Sequence, residues 1–201
     1  MTPILVLVAA YVIGAIPFGY LLVRLRSGKD VREMGSGNIG ATNVLRTTGP
    51  ALGVLTLLLD IAKGAFAVWV ADYITQGSML WMTGAALAVI AGHAFPVFLK
   101  FKGGKAVASF IGAFLYLTPA PLLATLLLFV ITVAVSRYIS LGSIVAAGLF
   151  PLAVWLIEHP PYYVVLAAVI SGALIVYRHR GNIDRIRAGN EHVFSFGGKR
   201  R

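Results

Sequence analysis

The chain has 201 residues and a mean hydropathy of +0.87, with 59% apolar and only 12% charged residues. A soluble domain carries about 25% charged residues, so a water-soluble globule, a disordered chain and a coiled coil are excluded. The net charge is +10 with histidine neutral, and there is no cysteine, which excludes disulfides, a thiolate nucleophile and Cys-ligated metals.

A spanning helix needs about 20 mostly apolar residues. In chain order, Pro3–Val23, Pro50–Val70 and Met79–Leu99 qualify. The first has no basic flank ahead of it and is too long for a cleaved leader, so it reads as a retained span. Ala106–Val135 follows, interrupted by Thr118-Pro119-Ala120-Pro121. One long helix or two short ones fit it. Ile139–Ile157 and the shorter Tyr162–Tyr177 complete the set.

Lys and Arg collect on the cytoplasmic flanks of spans. Arg24, Arg26, Lys29, Arg32 and Arg46 follow the first span; Lys100, Lys102 and Lys105 follow the third. Arg137 precedes Ile139–Ile157, and the tail holds Arg178, Arg180, Arg185, Arg187, Lys199, Arg200 and Arg201. The connections Ala71–Ser78 and Glu158–Pro161 have none. A break at Pro119–Pro121 places all 16 of these cations on one side and leaves only Lys63 inside a span. The expected architecture is all-α: a polytopic transmembrane helical bundle of about seven spans, the fourth and fifth short. Its N-terminus lies outside and its C-terminus in the cytoplasm. With no internal repeat, residues 1–201 read as a single integral membrane domain. Basic clusters placed this way suit orientation and anionic lipid, not nucleic acid.

Inside the spans, Asp60 and Lys63 share one face of a helix at i and i+3. Charges in hydrocarbon are costly and are usually paired. Two roles are open: a neutralising structural pair, or the wall of a cavity beneath a site. The structural role is preferred for Asp60; Lys63 is left between the two. His93, before Phe95-Pro96, reads as a packing or capping group. Gly112, Gly142, Gly148 and Gly172 read as close-packing positions.

Three loops on the basic side carry the chemistry. The first is Gly35-Ser36-Gly37-Asn38-Ile39-Gly40-Ala41-Thr42-Asn43-Val44-Leu45-Arg46. Its glycines allow backbone N–H groups to form an anion nest. Ser36, Asn38 and Asn43 add hydrogen-bonding groups, and Arg46 can grip two phosphate oxygens. Its interleaved apolar residues imply a segment folded back on protein or lipid. The second is Lys100-Phe101-Lys102-Gly103-Gly104-Lys105. Two glycines before a lysine at a helix start suit a phosphate, but Ala106 follows, so this is not a Walker loop. The third is His179-Arg180-Gly181-Asn182-Ile183-Asp184-Arg185, with Glu191 beyond. Three anion-friendly devices on an apolar bundle suit a meeting of a phosphorylated soluble substrate with a lipid-borne one. No metal-ligand spacing stands out, and no cofactor is expected.

These motifs, with Gly92-His93-Ala94-Phe95-Pro96 ahead of the second, resemble the bacterial acyl-phosphate-dependent glycerol-3-phosphate acyltransferases, an integral membrane family. The likeness covers nearly the whole chain, including Asp60 and Lys63-Gly64. The resemblance implies transfer of a fatty acyl group from acyl phosphate to the sn-1 hydroxyl of glycerol 3-phosphate. The products are 1-acylglycerol 3-phosphate (lysophosphatidate) and phosphate, which begins phospholipid synthesis. It implies a multi-pass protein of the bacterial inner (plasma) membrane with its active site facing the cytoplasm. It also implies, as a partner, the soluble enzyme that makes acyl phosphate.

Carried over residue by residue, Arg46, His179 and Asn182 are the implied catalytic residues. Ser36, Gly37, Asn38, Asn43, Gly103, Gly104, Lys105 and, more weakly, Ser143 are implied to bind substrate. Asp60, Lys63, His93 and Glu191 are implied supports. Where the family motif runs G-G-K-G, this chain has Ala106. The general base is His179 or a substrate phosphate oxygen. Two other readings compete. A carrier for an anionic metabolite would place its polar groups near the midplane, unlike this chain. A lipid-binding scaffold would show no turnover.

Overall fold

A computed structural model of the chain describes residues 2–194. Met1 and the basic tail residues Lys199, Arg200 and Arg201 lie outside the described residues. Among the described residues the regular structure is helical. The helices are α1 (Thr2–Ala15), α2 (Phe18–Ser27), α3 (Ala41–Thr48), α4 (Pro50–Thr75) and α5 (Met79–Ala94). They continue with α6 (Val107–Leu117), α7 (Pro119–Ser136), α8 (Ile139–Glu158), α9 (Tyr162–Arg178) and α10 (Arg180–Arg187). Single turns of 3-10 helix cover Val31–Glu33 and Val97–Leu99.

The expected first span is not one uninterrupted helix. Pro17 has no N–H to give and clashes with the turn before it, so the helix breaks at Ile16-Pro17 and resumes as α2 to Ser27. The break anticipated near Pro119 is present at Thr118. The fifth span, however, is not short. Prolines in a first helical turn forfeit no intrahelical hydrogen bond, so they open an 18-residue helix without truncating it. Its predecessor α6 has 11 residues, about 16 Å of rise, well under a bilayer core of about 30 Å.

By length and composition, five helical stretches can cross a bilayer: Ile4–Ser27, Pro50–Thr75, Met79–Leu99, Pro119–Ser136 and Ile139–Glu158. A sixth is α9 with α10, bent by 53°. Among the described residues the shorter apolar helix α6 stands beside these six, and it is the short member of the expected set. Leu58, Leu127, Val130, Trp155 and Leu166 of the long helices are exposed. An apolar outer surface of this extent requires lipid around it.

The chain divides into two compact units, Met1–Leu117 and Thr118–Arg201. In the first, α1 packs on α5, and α4 packs on α1, α3, α5 and α6. In the second, α8 packs between α7 and α9, with α10 against α9. Backbone approaches backbone at Gly112, over the Ile61 carbonyl, and at Gly172, over the Ala147 carbonyl. Gly142 sits against Val133 and Phe129. Gly148 departs from expectation: a Cβ there would meet nothing within 4 Å.

Candidate functional site

The first loop folds onto the first unit through its apolar residues. Ile39 and Val44 join Val23, Val31 and Leu99 in one buried cluster, flanked by Tyr20, Met34 and Leu52. Leu99 leads into the second loop, so one core supports both motifs. At the edge of the first loop, Asp30 accepts the Arg32 backbone N–H (2.9 Å) and is paired with its guanidinium (2.6 Å). Arg32 thereby holds the Asp30 carboxyl below its usual range.

Gly35 and Gly37 take left-handed φ values of +57° and +71°, which turn the chain back toward α3. Asn43 is 2% exposed and is the peg of this loop. Its Oδ1 accepts the Ser36 N–H at 2.9 Å. Its Nδ2 faces the carbonyls of Asn38 (2.8 Å), Met34 (3.0 Å) and Val31 (3.3 Å). Asn38 Oδ1 accepts the Gly40 N–H at 2.8 Å and steers the chain into α3. The anion nest expected from backbone N–H groups is therefore largely spent. The N–H groups of Ser36 and Gly40 serve Asn43 and Asn38, and that of Gly37 serves the Met34 carbonyl. The Asn43 amide is likewise spent, so it holds the loop instead of presenting itself to a ligand. Ser36 and Gly37 are exposed, and Arg46 is half-buried in the last turn of α3.

The second loop is pressed onto α5. A Cβ on Gly103 would collide with the carbonyls of His93 and Ala94 and with Pro96. A Cβ on Gly104 would collide with the His93 ring, and the Gly104 N–H donates to the His93 carbonyl at 3.1 Å. Lys105 is half-buried beyond this turn. Ala106 is buried and left-handed, at φ +62°, the conformation a glycine adopts at no steric cost.

Beneath the turn lies a buried polar group that long-range packing assembles. Lys63 Nζ is 2.8 Å from Asp60 Oδ1, an ion pair with both side chains about 3% exposed. The same ammonium donates to the Ile16 carbonyl at 2.7 Å and lies 5.5 Å from the Phe18 ring centre. It thus satisfies a backbone carbonyl at the break between α1 and α2. His93 Nδ1 is 3.6 Å from Asp60 Oδ1 and 3.1 Å from Ser109 Oγ. Sequence reasoning missed Ser109, because one serine in an apolar helix is common.

In the second unit the third motif starts at the α9–α10 junction. His179 is 3% exposed, and its Nδ1 lies 2.8 Å from the Ile175 carbonyl. A carbonyl only accepts, so Nδ1 carries the proton and the neutral ring's lone pair is on Nε2. Glu191 gathers the rest. Its Oε1 accepts from Asn182 Nδ2 (2.9 Å) and Ser140 Oγ (3.2 Å), and its Oε2 from Arg185 Nε (2.8 Å). Burial pushes the Glu191 carboxyl up, but these three donors outweigh it and hold it below the usual range. Ser140 and Arg185 were not singled out in the sequence. Arg185 stands in the sequence as the last residue of the third loop and a tail cation, with nothing to mark it as a partner of Glu191. Ser143 Oγ bonds back to the Ile139 carbonyl of its own helix at 3.0 Å.

Comparison with known proteins matches residues 4–189 to a family model described as glycerol-3-phosphate acyltransferase. A glycerol-3-phosphate acyltransferase of Desulforamulus reducens is 43% identical over 200 residues, covering 100% of this chain and 98% of its own. One from Geobacter sulfurreducens is 47% identical over 185 residues, 92% of this chain and 94% of its own. Among solved structures, the glycerol 3-phosphate form of PlsY, an integral membrane glycerol 3-phosphate acyltransferase, superposes with a TM-score of 0.91 at 38% identity. It covers 97% of this chain and 96% of its own. The lysophosphatidic acid form gives 0.87 at 36% identity, with the same coverage.

Proposed function

Since the chain belongs to the glycerol-3-phosphate acyltransferase family, and is a multi-pass membrane protein, we propose that it acylates glycerol 3-phosphate at the sn-1 hydroxyl. The donor is acyl phosphate; the products are 1-acylglycerol 3-phosphate and inorganic phosphate. The observation that carries this reading is the Gly103–Gly104 turn, seated on His93 immediately before Lys105. A turn fixed this way offers a phosphate a preorganised lysine. Inner-membrane residence is what the family resemblance implies, and the basic clusters support a cytoplasmic side for Lys102 and the tail.

Acyl phosphate is a mixed anhydride, so its carbonyl is already activated and phosphate leaves readily. The glycerol hydroxyl attacks that carbonyl directly, the C–O bond to phosphate breaks, and no acyl-enzyme forms. Ser36, Asn38 and Arg46 stabilise the departing phosphate, and Asn43 keeps their loop in shape. Lys105 holds the phosphate of the acceptor. His179, with its lone pair on Nε2, takes the hydroxyl proton, and Asn182, fixed by Glu191, orients the acceptor. In the second version a substrate phosphate oxygen takes the proton and His179 only hydrogen-bonds. The pH–rate profile of His179→Gln separates them. Loss of the acidic limb implicates the imidazole; an unchanged profile at lower rate favours the substrate.

The decisive assay offers purified protein glycerol 3-phosphate with acyl phosphate, acyl-CoA or acyl carrier protein, and measures lysophosphatidate. Product from acyl phosphate alone is expected. Turnover with acyl-CoA alone would overturn the donor, and no turnover with any donor would leave a binding scaffold. Orientation is tested by thiol labelling of Lys102→Cys and Gln76→Cys in the Cys-free chain. Labelling of Lys102→Cys from outside intact cells would invert the topology.

A further inference from the structure

We propose that His93 is the positioning residue for the Gly103–Gly104–Lys105 turn, with Asp60 and Ser109 fixing its ring. The inference rests on the reading of Lys105 as a phosphate-binding lysine and adds what holds that lysine in place.

His93 touches both glycines of the turn, with the Ala94 carbonyl and Pro96 beside it at Gly103. The His93 carbonyl accepts the Gly104 N–H at 3.1 Å and stands where a Gly103 Cβ would be. The opposite end of the same residue, its ring edge at Nε2 and Cδ2, stands where a Gly104 Cβ would be. The need for glycine at position 104 is thus explained by the His93 ring, and at position 103 by the His93 carbonyl together with its neighbours. The ring is restrained at Nδ1 by hydrogen-bond contact with one neighbouring helix and lies beside a carboxylate of another. Ser109 Oγ of α6 is at 3.1 Å and Asp60 Oδ1 of α4 at 3.6 Å. Asp60 is itself restrained by Lys63, which is tied to the Ile16 carbonyl.

A buried ionisable side chain in a membrane protein costs free energy that packing alone does not require. An apolar ring would fill the same space but would make neither Nδ1 contact. A glycine pair is the most freely rotating dipeptide available, so a turn built on it needs an external template. His93 supplies that template, and its helix partners supply the rigidity.

The ring and the missing Cβ make a steric cycle. Gly104→Ala pushes the turn off the ring and is expected to raise the KM for glycerol 3-phosphate about tenfold or more, since small misplacements of a binding group are costly. His93→Ala is expected to raise the same KM with a smaller change in kcat and none in the KM for the acyl donor. His93→Asn, which keeps a hydrogen-bonding group near Ser109, is expected to recover part of the loss. In the His93→Ala background the methyl of Gly104→Ala has room, so its penalty is expected to shrink at least about threefold.

A spin label at Lys102→Cys reads the turn without any assay of turnover. It is expected to be more mobile in His93→Ala, while thermal unfolding in detergent confirms that the variant folds. An unchanged label mobility, or a Gly104→Ala penalty that is the same with and without the ring, overturns the proposal. If Lys105→Ala leaves the KM for glycerol 3-phosphate unchanged while the label still loosens, the phosphate assignment is what fails, and His93 still holds the turn. Should His93→Ala not fold, Ser109→Ala takes its place, with the same mobility and KM readouts.

Discussion

The two units hold their polar groups by opposite means. In the first, the turn before Lys105 is fixed by backbone against a histidine, over an ion pair buried among helices. In the second, Asn182 is fixed by one carboxylate with three side-chain donors, one of them the partly exposed Arg185. A seat made by shape is sensitive to single methyl groups. A hub made by charge tolerates shape changes and answers to pH. The contrast teaches where each unit is vulnerable.

The largest effect is expected from breaking the buried anchor of the first unit. Lys63→Ala leaves the Asp60 carboxylate buried without its cation, a change of about 3–5 kcal/mol. A fall in the thermal midpoint in detergent checks it. The double change Asp60→Asn with Lys63→Met removes both charges and should recover much of that loss. If the double variant is no better than the single one, Lys63 matters for its bond to Ile16 and not for its charge.

Next comes the lysine on the shaped turn. Lys105→Ala should raise the KM for glycerol 3-phosphate by the loss of a charge-assisted contact, about 1.5–3 kcal/mol, with stability unchanged. If only the KM for acyl phosphate rises, the two phosphates have been exchanged.

The charge hub is probed by Glu191→Gln, expected to cost about 1–3 kcal/mol at neutral pH. The native carboxyl titrates below its ordinary value. Its stabilisation is therefore complete above the unfolded value of about 4.3. It is lost as pH falls through the lower folded value. Unfolding of the native protein should be insensitive to Glu191 from neutrality to about pH 5, then weaken. Glu191→Gln should flatten that acid decline.

The smallest effect is at Ala106. Its left-handed φ of +62° strains an L-residue by about 1 kcal/mol. Ala106→Gly removes that strain but frees the unfolded chain, so the midpoint should move little. Activity retained in Ala106→Gly shows that the turn is set by His93 and not by its last residue.

What the sequence made legible was local. The ion pair of Asp60 and Lys63 is three residues apart on one helix, and the proline interruption before α7 lies in plain view. The three motifs stand out by composition. What stayed hidden depends on distant partners. Pro17 sits in an otherwise unbroken apolar run, so the first helix read as continuous. The helix α3 lies in a glycine-rich stretch that looks like coil, because its start is set by Asn38 bonding to Gly40. His93 looked like a packing group because the glycines that reveal its task lie ten residues on. Ser109 and Ser140 are ordinary small residues until their partners arrive. The unused space beside Gly148 shows that a glycine in a span is not in itself a helix contact.

The spacing of Asp60 and Lys63 has a consequence for how the protein is made. Partners three residues apart on one helix meet as soon as that helix forms, before any tertiary neighbour exists. The segment therefore enters the bilayer as a near-neutral dipole, not as two bare charges, which lowers the barrier to its insertion. The Ile16 carbonyl and His93 come later, as the surrounding helices close in. Had the carboxylate been placed on another helix, the lysine would have to wait for it in lipid, and membrane integration would depend on the order of assembly.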